Sequence, residues 1–337
     1  MDRRHAIGVM LVVLSACSYG SGPFFAKIVY ATGTDWLTLL AWRFTFAAVA
    51  SWAWLFLVPA HRAGLRRVRR RHAVALIACG TLFAANASCA FASLETVPVS
   101  LNELILAIYP VVVAVLTLRL GRSLEGRRAW IALAVSTFGV ALTIGGVRAG
   151  GNPVGIALAV GSPLVYAVYL VLTARIAGER RGRLAREQAE PPTPPAVAGA
   201  LLVTGTWLVI LTAATVAREP ALPTQVPAAA WPGLVGVGVI PGAIAIQAMY
   251  AGAARIGAAQ AALLSTIEPV FAVTLALVLL GERLSPVQVL GGILVLSAVV
   301  VSQLRAAAIG MDAGSPAVEA LAATVDEEAR VARSPSI

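Results

Sequence analysis

The chain has 337 residues, of which 59% are hydrophobic and only 12% are charged, and its formal net charge is +10. A soluble globular domain carries about 25% charged residues, so this composition excludes an ordinary water-soluble fold and is typical of a protein embedded in a bilayer. The positive charge does not indicate nucleic-acid binding, because the arginines are distributed among the loops between apolar segments.

Ten apolar segments follow one another along the chain, numbered here one to ten. They cover residues 6–28, 35–58, 73–94, 98–118, 128–147, 153–175, 197–216, 231–252, 258–279 and 286–304. Each has about 20 residues, which at about 1.5 Å per residue spans a hydrocarbon core of about 30 Å. Only helices or closed barrels satisfy every backbone group in lipid, and these segments lack the alternation of barrel strands. The prediction is an all-α polytopic membrane protein with ten transmembrane helices.

Basic residues mark one side of this arrangement. Arg3 and Arg4 precede segment one, and an arginine-rich run at 66–71 follows segment two. Further arginines recur in alternate loops and in the tail, which is the positive-inside pattern with both termini in the cytoplasm. We therefore expect a multi-pass protein of the cell (inner) membrane, in contact with membrane lipid and without a nucleic-acid partner. A homodimer is compatible with the sequence.

An internal repeat divides the chain into two halves. Ile108-Tyr109-Pro110-Val111 in segment four corresponds to Ile267-Glu268-Pro269-Val270 in segment nine, within a longer match of residues 90–118 to 249–277. Because each half holds an odd number of spans, the halves must be inserted in opposite orientations, as a 5+5 inverted repeat. We assign residues 1–150 to the first repeat and 151–305 to the second, with a proline-rich cytoplasmic loop at 178–196. A disordered cytoplasmic tail is expected at 306–337.

Charged side chains inside the segments are the first candidates for function, since each costs at least about 2.5–3.5 kcal/mol at bilayer depth. Glu268 lies near the middle of segment nine, where it could bind a cationic group, carry the coupling proton or pair with a neighbour. Glu103 in segment four could contact a substrate amine or reach the interface. Arg43 in segment two suits a substrate carboxylate or one of these glutamates. Lys27, near the end of segment one, is interpreted mainly as an interfacial anchor.

Helix breakers and uncharged polar residues complete the predicted site. Gly20-Ser21-Gly22-Pro23 and Gly161-Ser162-Pro163 interrupt segments one and six at corresponding places, which points to a site near the midplane, although packing kinks would leave the same pattern. Gln247 corresponds to Ser88 in the other repeat, which favours a shared wall. The uncharged side chains predicted to line the substrate site are Tyr19, Asn86, Tyr109, Tyr166 and Gln247.

The sequence also resembles a known family. The features that carry the resemblance are Tyr19-Gly20 and Lys27, Arg43-Phe44, Ala92-Ser93-Leu94 with Ser100 leading to Tyr109-Pro110, and 261–269 leading to Gly281-Glu282-Arg283-Leu284. Over residues 6–304 they resemble the EamA-type branch of the drug/metabolite transporter superfamily. That resemblance implies a bacterial inner-membrane carrier with a central cavity between helices one to four and six to nine. The pair Asn102-Glu103 departs from the family, which usually has small or apolar residues there.

The functional prediction is a secondary transporter that exports small metabolites, such as amino acids, by alternating access. No nucleotide-binding glycine motif is present, and the three histidines flank the segments, so we expect no catalytic residue, metal or cofactor and do not expect an enzyme. The substrate-binding residues would be those named above, with Glu268 as the proton-coupling residue. The alternatives are an efflux carrier for cationic compounds or drugs and a membrane sensor that binds a metabolite without moving it.

Overall fold

A computed structural model describes residues 3–66, 68, 70–109, 111–113, 116, 126–145, 152–176, 194–217, 222–256, 260–261 and 264–312. No strand occurs within these ranges. The helices, numbered in chain order, are α1 (Arg3–Gly20), α2 (Gly22–Tyr30), α3 (Trp36–Leu57), α4 (Pro59–Leu65), α5 (Arg70–Leu94), α6 (Val99–Leu106), α7 (Gly126–Gly145), α8 (Pro153–Ile176), α9 (Pro195–Ala217), α10 (Trp231–Val239), α11 (Ala245–Ile256), α12 (Ile267–Leu279) and α13 (Pro286–Asp312).

Within the part of the chain that the structure describes, six helical stretches are long and apolar enough to cross a membrane. They are Arg3–Tyr30, Trp36–Leu57, Arg70–Leu94, Pro153–Leu172, Pro195–Ala217 and Ala228–Ile256. Four shorter apolar helices, Val99–Val113, Ala134–Thr143, Ile267–Leu279 and Pro286–Ala298, occupy the positions of the other predicted segments. Large apolar side chains such as Met10, Leu57 and Val278 are more than two-thirds exposed, which is costly in water and expected in contact with lipid. The predicted polytopic all-α class is confirmed.

The helices of the two halves pack against each other throughout the bundle. Helix α1 packs on α11 and α12, α5 packs on α8 and α9, and α3 packs on α9 and α10. Helix α6 also packs on α12 and α8, and α7 packs on α13. Several of these crossings depend on glycine. A Cβ on Gly139 of α7 would lie 2.8 Å from the carbonyl oxygen of Gly291 in α13, so only glycine allows this approach.

Regular helix gives way at four of the places where the sequence holds proline or glycine. Ser21 separates α1 from α2, although backbone hydrogen bonds from Ser21 to Cys17 and from Phe25 to Ser21 continue across it. A π-helical turn at Ile240–Ile244 contains Pro241 and separates α10 from α11. Turns at 107–108 and at 265–266 precede the two repeat-related residues Tyr109 and Glu268.

The predicted interruption of segment six is wrong. Helix α8 runs without a break through Gly161-Ser162-Pro163, with Pro163 buried inside it. A proline removes only one helical hydrogen bond, and neighbouring polar groups in a membrane bundle can compensate for it. Next to the proline, the Ser162 hydroxyl donates to the side chain of Asn86 at 2.8 Å, which ties this part of α8 to α5.

The last helix extends further than expected. Helix α13 continues to Asp312, so residues 306–312 of the predicted tail are helical. The run of alanines at 306–308 explains this, because alanine has the highest helix propensity. Residues 313–337, and residues 178–193 of the proline-rich loop, lie outside the described residues.

Candidate functional site

A cavity of about 80 Å³ lies between the helices of the two halves. It is bounded by α1, α2, α3, α5, α6, α8 and α12, so both halves contribute to its wall. Its lining residues are Tyr19, Gly22, Pro23, Arg43, Phe83, Asn86, Ala87, Ala90, Phe91, Leu94, Asn102, Glu103, Leu106, Tyr109, Tyr166 and Glu268. Seven of the eight predicted site residues are therefore brought to one cavity.

Arg43 of α3 is the cationic group of this cavity. Its side chain is only 4% exposed, and its Nε and Nη1 atoms are buried without a hydrogen-bond partner. The guanidinium carbon lies 4.3 Å from the centroid of the Phe91 ring and 5.2 Å from that of Phe44. Cation–π contacts stabilise the charge but leave the N–H groups unsatisfied, which is costly for a buried guanidinium. The site therefore retains donors for an incoming acceptor.

Two carboxyl groups line the same cavity. Glu103 in α6 is only 4% exposed, so it does not reach the membrane interface as one interpretation of the sequence expected. Glu268 lies in the first turn of α12, directly after the turn at 265–266, where the helix dipole favours a negative charge. Neither carboxylate forms an ion pair with Arg43, whose Nε and Nη1 remain without partners. The predicted pairing inside the bundle is absent, and the opposite charges remain separate.

Aromatic side chains form part of the wall. The rings of Tyr109 and Tyr166 meet edge to face with centroids 4.8 Å apart, and Tyr166 stacks on Tyr169 at 5.7 Å. Tyr109 belongs to the first half and the other two to α8 of the second, so the aromatic contact crosses between the halves. Tyr19 lines the cavity from α1. Such rings offer apolar surface with a polar edge, which suits a small amphipathic ligand.

The last two predicted residues have different positions. Asn86 of α5 lines the cavity and accepts the hydrogen bond from Ser162 described above. Gln247 of α11 lies outside the cavity, where its Nε2 donates to the carbonyl oxygen of Ala196 at 3.3 Å. Its side chain also packs against Gly199. Gln247 therefore does not line the cavity, although it corresponds to Ser88 in the repeat, because its amide group is hydrogen-bonded to the neighbouring helix α9.

Helix one approaches the backbone of segment nine very closely beside the cavity. A Cβ on Gly20 would lie 2.8 Å from the carbonyl oxygen of Glu268 and 3.2 Å from Cδ1 of Phe271. Only glycine permits this contact. The close approach positions Glu268 against the end of α1.

A group of contacts at one end of the cavity was not expected from the sequence. Lys27 of α2 donates from Nζ to the carbonyl oxygens of Leu94, at 2.6 Å, and Val97, at 3.0 Å. The sequence placed this residue near the end of a span, and the structure adds that its ammonium group binds backbone acceptors of the bundle. The Glu282 carboxylate accepts from the backbone N–H groups of Val99, at 2.7 Å, and Ser100, at 2.9 Å.

Two further contacts belong to the same end of the bundle. The Tyr30 hydroxyl donates to the carbonyl oxygen of Phe91 at 2.8 Å, and Glu95 accepts from the backbone N–H of Trp36 at 2.6 Å. Sequence reasoning used Glu282 only as a family feature. The signal available in the sequence was its charge directly after Gly281 at the end of segment nine; in the structure Gly281 has a positive φ.

Comparison with known proteins places this arrangement in a family. The sequence pattern described as the EamA-like transporter family matches residues 6–145 and again residues 153–303. The chain belongs to the EamA-like transporter family. Members of this family are transporters, so the cavity lies in a membrane protein of a transporting class.

Two individual proteins are similar to this EamA-like transporter. A protein of Bacillus subtilis (strain 168) described as "Uncharacterized transporter YcbK" is 28% identical over 300 residues, covering 86% of this chain and 90% of its own length. A solved crystal structure, described only as that of a protein, is 20% identical. It covers 90% of this chain and 98% of its own, with a TM-score of 0.57, and supports the fold alone.

Proposed function

We propose that this EamA-like transporter is a secondary carrier that exports small polar metabolites, with amino acids as the first candidates, across the bacterial inner membrane. The observation that carries the proposal is the presence of Arg43, Glu103 and Glu268 in one cavity, without an ion pair to Arg43. A bound molecule that has both an anionic and a cationic group would complement both kinds of charge.

The unpartnered donors of Arg43 support an anionic group on the substrate. A guanidinium presents its N–H groups in a planar fork that matches the two oxygens of a carboxylate. A buried donor without a hydrogen-bond partner is unfavourable. An acceptor that reaches Nε and Nη1 would remove this cost, and the free energy recovered would add to the affinity. The carboxyl groups of Glu103 and Glu268 offer acceptors for an ammonium group in the same space.

The size of the cavity supports alternating access. About 80 Å³ is enough for several water molecules but is smaller than the roughly 300–1,000 Å³ of most small-molecule sites. A metabolite would therefore need a rearrangement of the surrounding helices to enter and to leave. Because both halves form the wall, a rocking motion of one half against the other would change the cavity.

A ten-helix inverted repeat with cytoplasmic termini is part of the proposal. It is supported by the packing of the helices, in which the main contacts between the halves have counterparts. Contacts of α1 with α11 and α12 correspond to those of α8 with α5 and α6. The arginine-rich loops support the cytoplasmic location of both ends.

Glu268 is proposed as the proton-coupling residue. It lies at the start of α12, lines the cavity, and has the backbone of Gly20 against its own carbonyl. A carboxyl at this place can exchange a proton with the cavity and change the net charge of the site by one. Occupation by a proton and by a cationic substrate group would then compete.

Counterflow in proteoliposomes tests the proposed function. Vesicles are preloaded with pools of amino acids, nucleosides or cationic drugs, and uptake of a labelled member of the same pool is measured. Saturable exchange with amino acids that is lost in Arg43→Met, but kept in the exposed-site control Arg255→Gln, is the expected result. Exchange with nucleosides or cationic drugs alone would show that amino acids are not the substrates and would identify the substrate class instead.

The second candidate is an efflux carrier for cationic compounds. It is favoured by the presence of two carboxyl groups against one guanidinium in the cavity. In that case cationic drugs would exchange, and Glu103→Gln or Glu268→Gln would affect exchange more than Arg43→Met. Binding of a metabolite without exchange in any pool would indicate the sensor instead.

A further inference from the structure

The chain between α5 and α6 is held by two oppositely charged side chains from different parts of the bundle. Lys27 binds the carbonyl oxygens of Leu94 and Val97, and Glu282 binds the N–H groups of Val99 and Ser100. We call Lys27 and Glu282 together with residues 94–100 the clamp. The charges have the signs that the helix dipoles require, since a cation lies at the end of α5 and an anion at the start of α6.

The clamp lies directly at one end of the cavity. Leu94, whose carbonyl accepts from Lys27, lines the cavity, and so do Asn102 and Glu103 a few residues beyond the N–H groups bound by Glu282. Two walls of the cavity, the end of α5 and the beginning of α6, therefore meet at the clamped turn. Lys27 lies near the end of the span Arg3–Tyr30, which places the clamp at the end of the bundle opposite to Arg3.

The clamp also joins the two halves. Lys27 and the turn belong to the first repeat, whereas Glu282 follows α12 of the second. The beginning of α8 contacts the same turn, because a Cβ on Gly155 would meet the side chains of Thr96 and Val97. A movement of the second half away from this turn would therefore break the hydrogen bonds of Glu282 to Val99 and Ser100, and the bonds of Lys27 hold the turn in place within the first half.

The counterpart of Glu282 in the other repeat is not acidic. The correspondence of Gly121 with Gly281 places Arg122 where the other repeat has Glu282. Because inverted repeats put such counterparts on opposite faces of the membrane, the carboxylate of the clamp occurs on one face only.

We propose that the clamp is a gate that closes the cavity toward the membrane face opposite to Arg3. Breaking the bonds of Lys27 and Glu282 opens the cavity to that face, and their formation closes it. The absence of this carboxylate from the equivalent position makes the other face the easier one to open. On the proposed topology, the resting carrier would load from the cytoplasm and open outward only when the clamp is released. This inference rests on the proposed function for its direction, but not for its test.

Cysteine labelling without substrate tests the gate. Cys17, Cys79 and Cys89 are replaced by alanine, and a reporter cysteine is introduced at Ala90, which lines the cavity. The probe is a membrane-impermeant maleimide, applied in turn to intact cells and to inverted vesicles. A separate variant, Ala31→Cys at the exposed end of α2, identifies the preparation in which the clamp face is outward.

The clamp variants are Glu282→Gln and Lys27→Met, which keep the size of the side chains. The matched control is Arg283→Gln, which removes a charge from the neighbouring exposed residue. Loss of a charge-assisted hydrogen bond shifts a two-state equilibrium by about tenfold or more, so we expect labelling of the reporter from the clamp face to become about tenfold faster in each clamp variant. In Arg283→Gln, the reporter cysteine should be labelled at the same rate as in the protein with an intact clamp.

Unchanged labelling of the reporter in both clamp variants, with Ala31→Cys labelled as expected, would overturn the gate. Lys27 and Glu282 would then only cap the ends of α5 and α6. Failure of both variants to yield monodisperse protein would also overturn it in favour of a purely structural role. The outcome is independent of substrate. If the wild type shows counterflow but the clamp variants label at an unchanged rate, only the gate is rejected. If the clamp variants label faster but the wild type shows no counterflow in any pool, only the proposed substrates are rejected.

Discussion

The guanidinium carbon of Arg43 lies 4.3 Å from the centroid of the Phe91 ring. The two residues come from α3 and α5, and both line the cavity. The ring supports the positive charge without using the N–H groups of the guanidinium, so the cation is positioned and remains available to a ligand.

This relationship predicts a graded loss of substrate affinity. Phe91→Leu removes a cation–π contact worth about 1 kcal/mol, so the half-saturation concentration in counterflow should rise about fivefold. Arg43→Lys keeps the charge but loses the planar fork, and we expect a rise of about tenfold or more. Phe138→Leu, at an exposed position on α7, is the control and should change neither value. Equal affinity in Arg43→Lys and the wild type would contradict a bidentate contact.

The pH dependence of transport should depend on Glu268. Glutamine cannot exchange a proton, so Glu268→Gln should remove the pH dependence of driven transport while substrate exchange remains measurable. Glu103→Gln provides the comparison, because it removes the other carboxyl group of the same cavity. Flux is measured over a series of internal pH values at fixed substrate concentration. An unchanged pH profile in Glu268→Gln, or its loss in Glu103→Gln alone, would remove Glu268 from this role.

Stability should depend on which glycine of the bundle is substituted. Gly20→Ala forces a Cβ to within 2.8 Å of the Glu268 carbonyl oxygen, and such overpacking costs about 1–3 kcal/mol. The apparent melting temperature in detergent should fall by several degrees. Gly161→Ala is the matched control, because a Cβ there has no neighbour within 4 Å. Alanine is favoured over glycine inside a helix by about 0.5–1 kcal/mol, so that variant should be as stable as the wild type or more so.

The hydrogen bond between Ser162 and Asn86 links α8 with α5. A double-mutant cycle of Ser162→Ala and Asn86→Ala should give a coupling of about 0.6 kcal/mol in unfolding free energy, the average for such bonds in membrane helices. Transport should respond differently, because only Asn86 lines the cavity. Asn86→Ala should alter exchange beyond the effect of Ser162→Ala. Identical exchange in the two single variants would assign Asn86 a packing role alone.

The sequence by itself was sufficient for the class of protein and for seven of the residues that line the cavity. Apolar segments of bilayer length predict membrane helices because lipid offers no other partner for the backbone. The repeat then predicts two related halves. The same cost of burying charge selected Arg43, Glu103 and Glu268, since an intramembrane charge is retained only for a specific reason.

The tertiary structure decided which neighbours these residues have. The sequence left Arg43 with a choice of partners, and only the packing of α3 on α5 shows that it faces an aromatic ring instead of a carboxylate. Gln247 was assigned to the cavity from its repeat position, but the carbonyl of Ala196 takes its amide. Lys27 and Glu282 are 255 positions apart in sequence, and their common turn becomes visible only when three elements meet. Composition and periodicity report the environment of a residue, whereas its partners depend on contacts between distant parts of the chain.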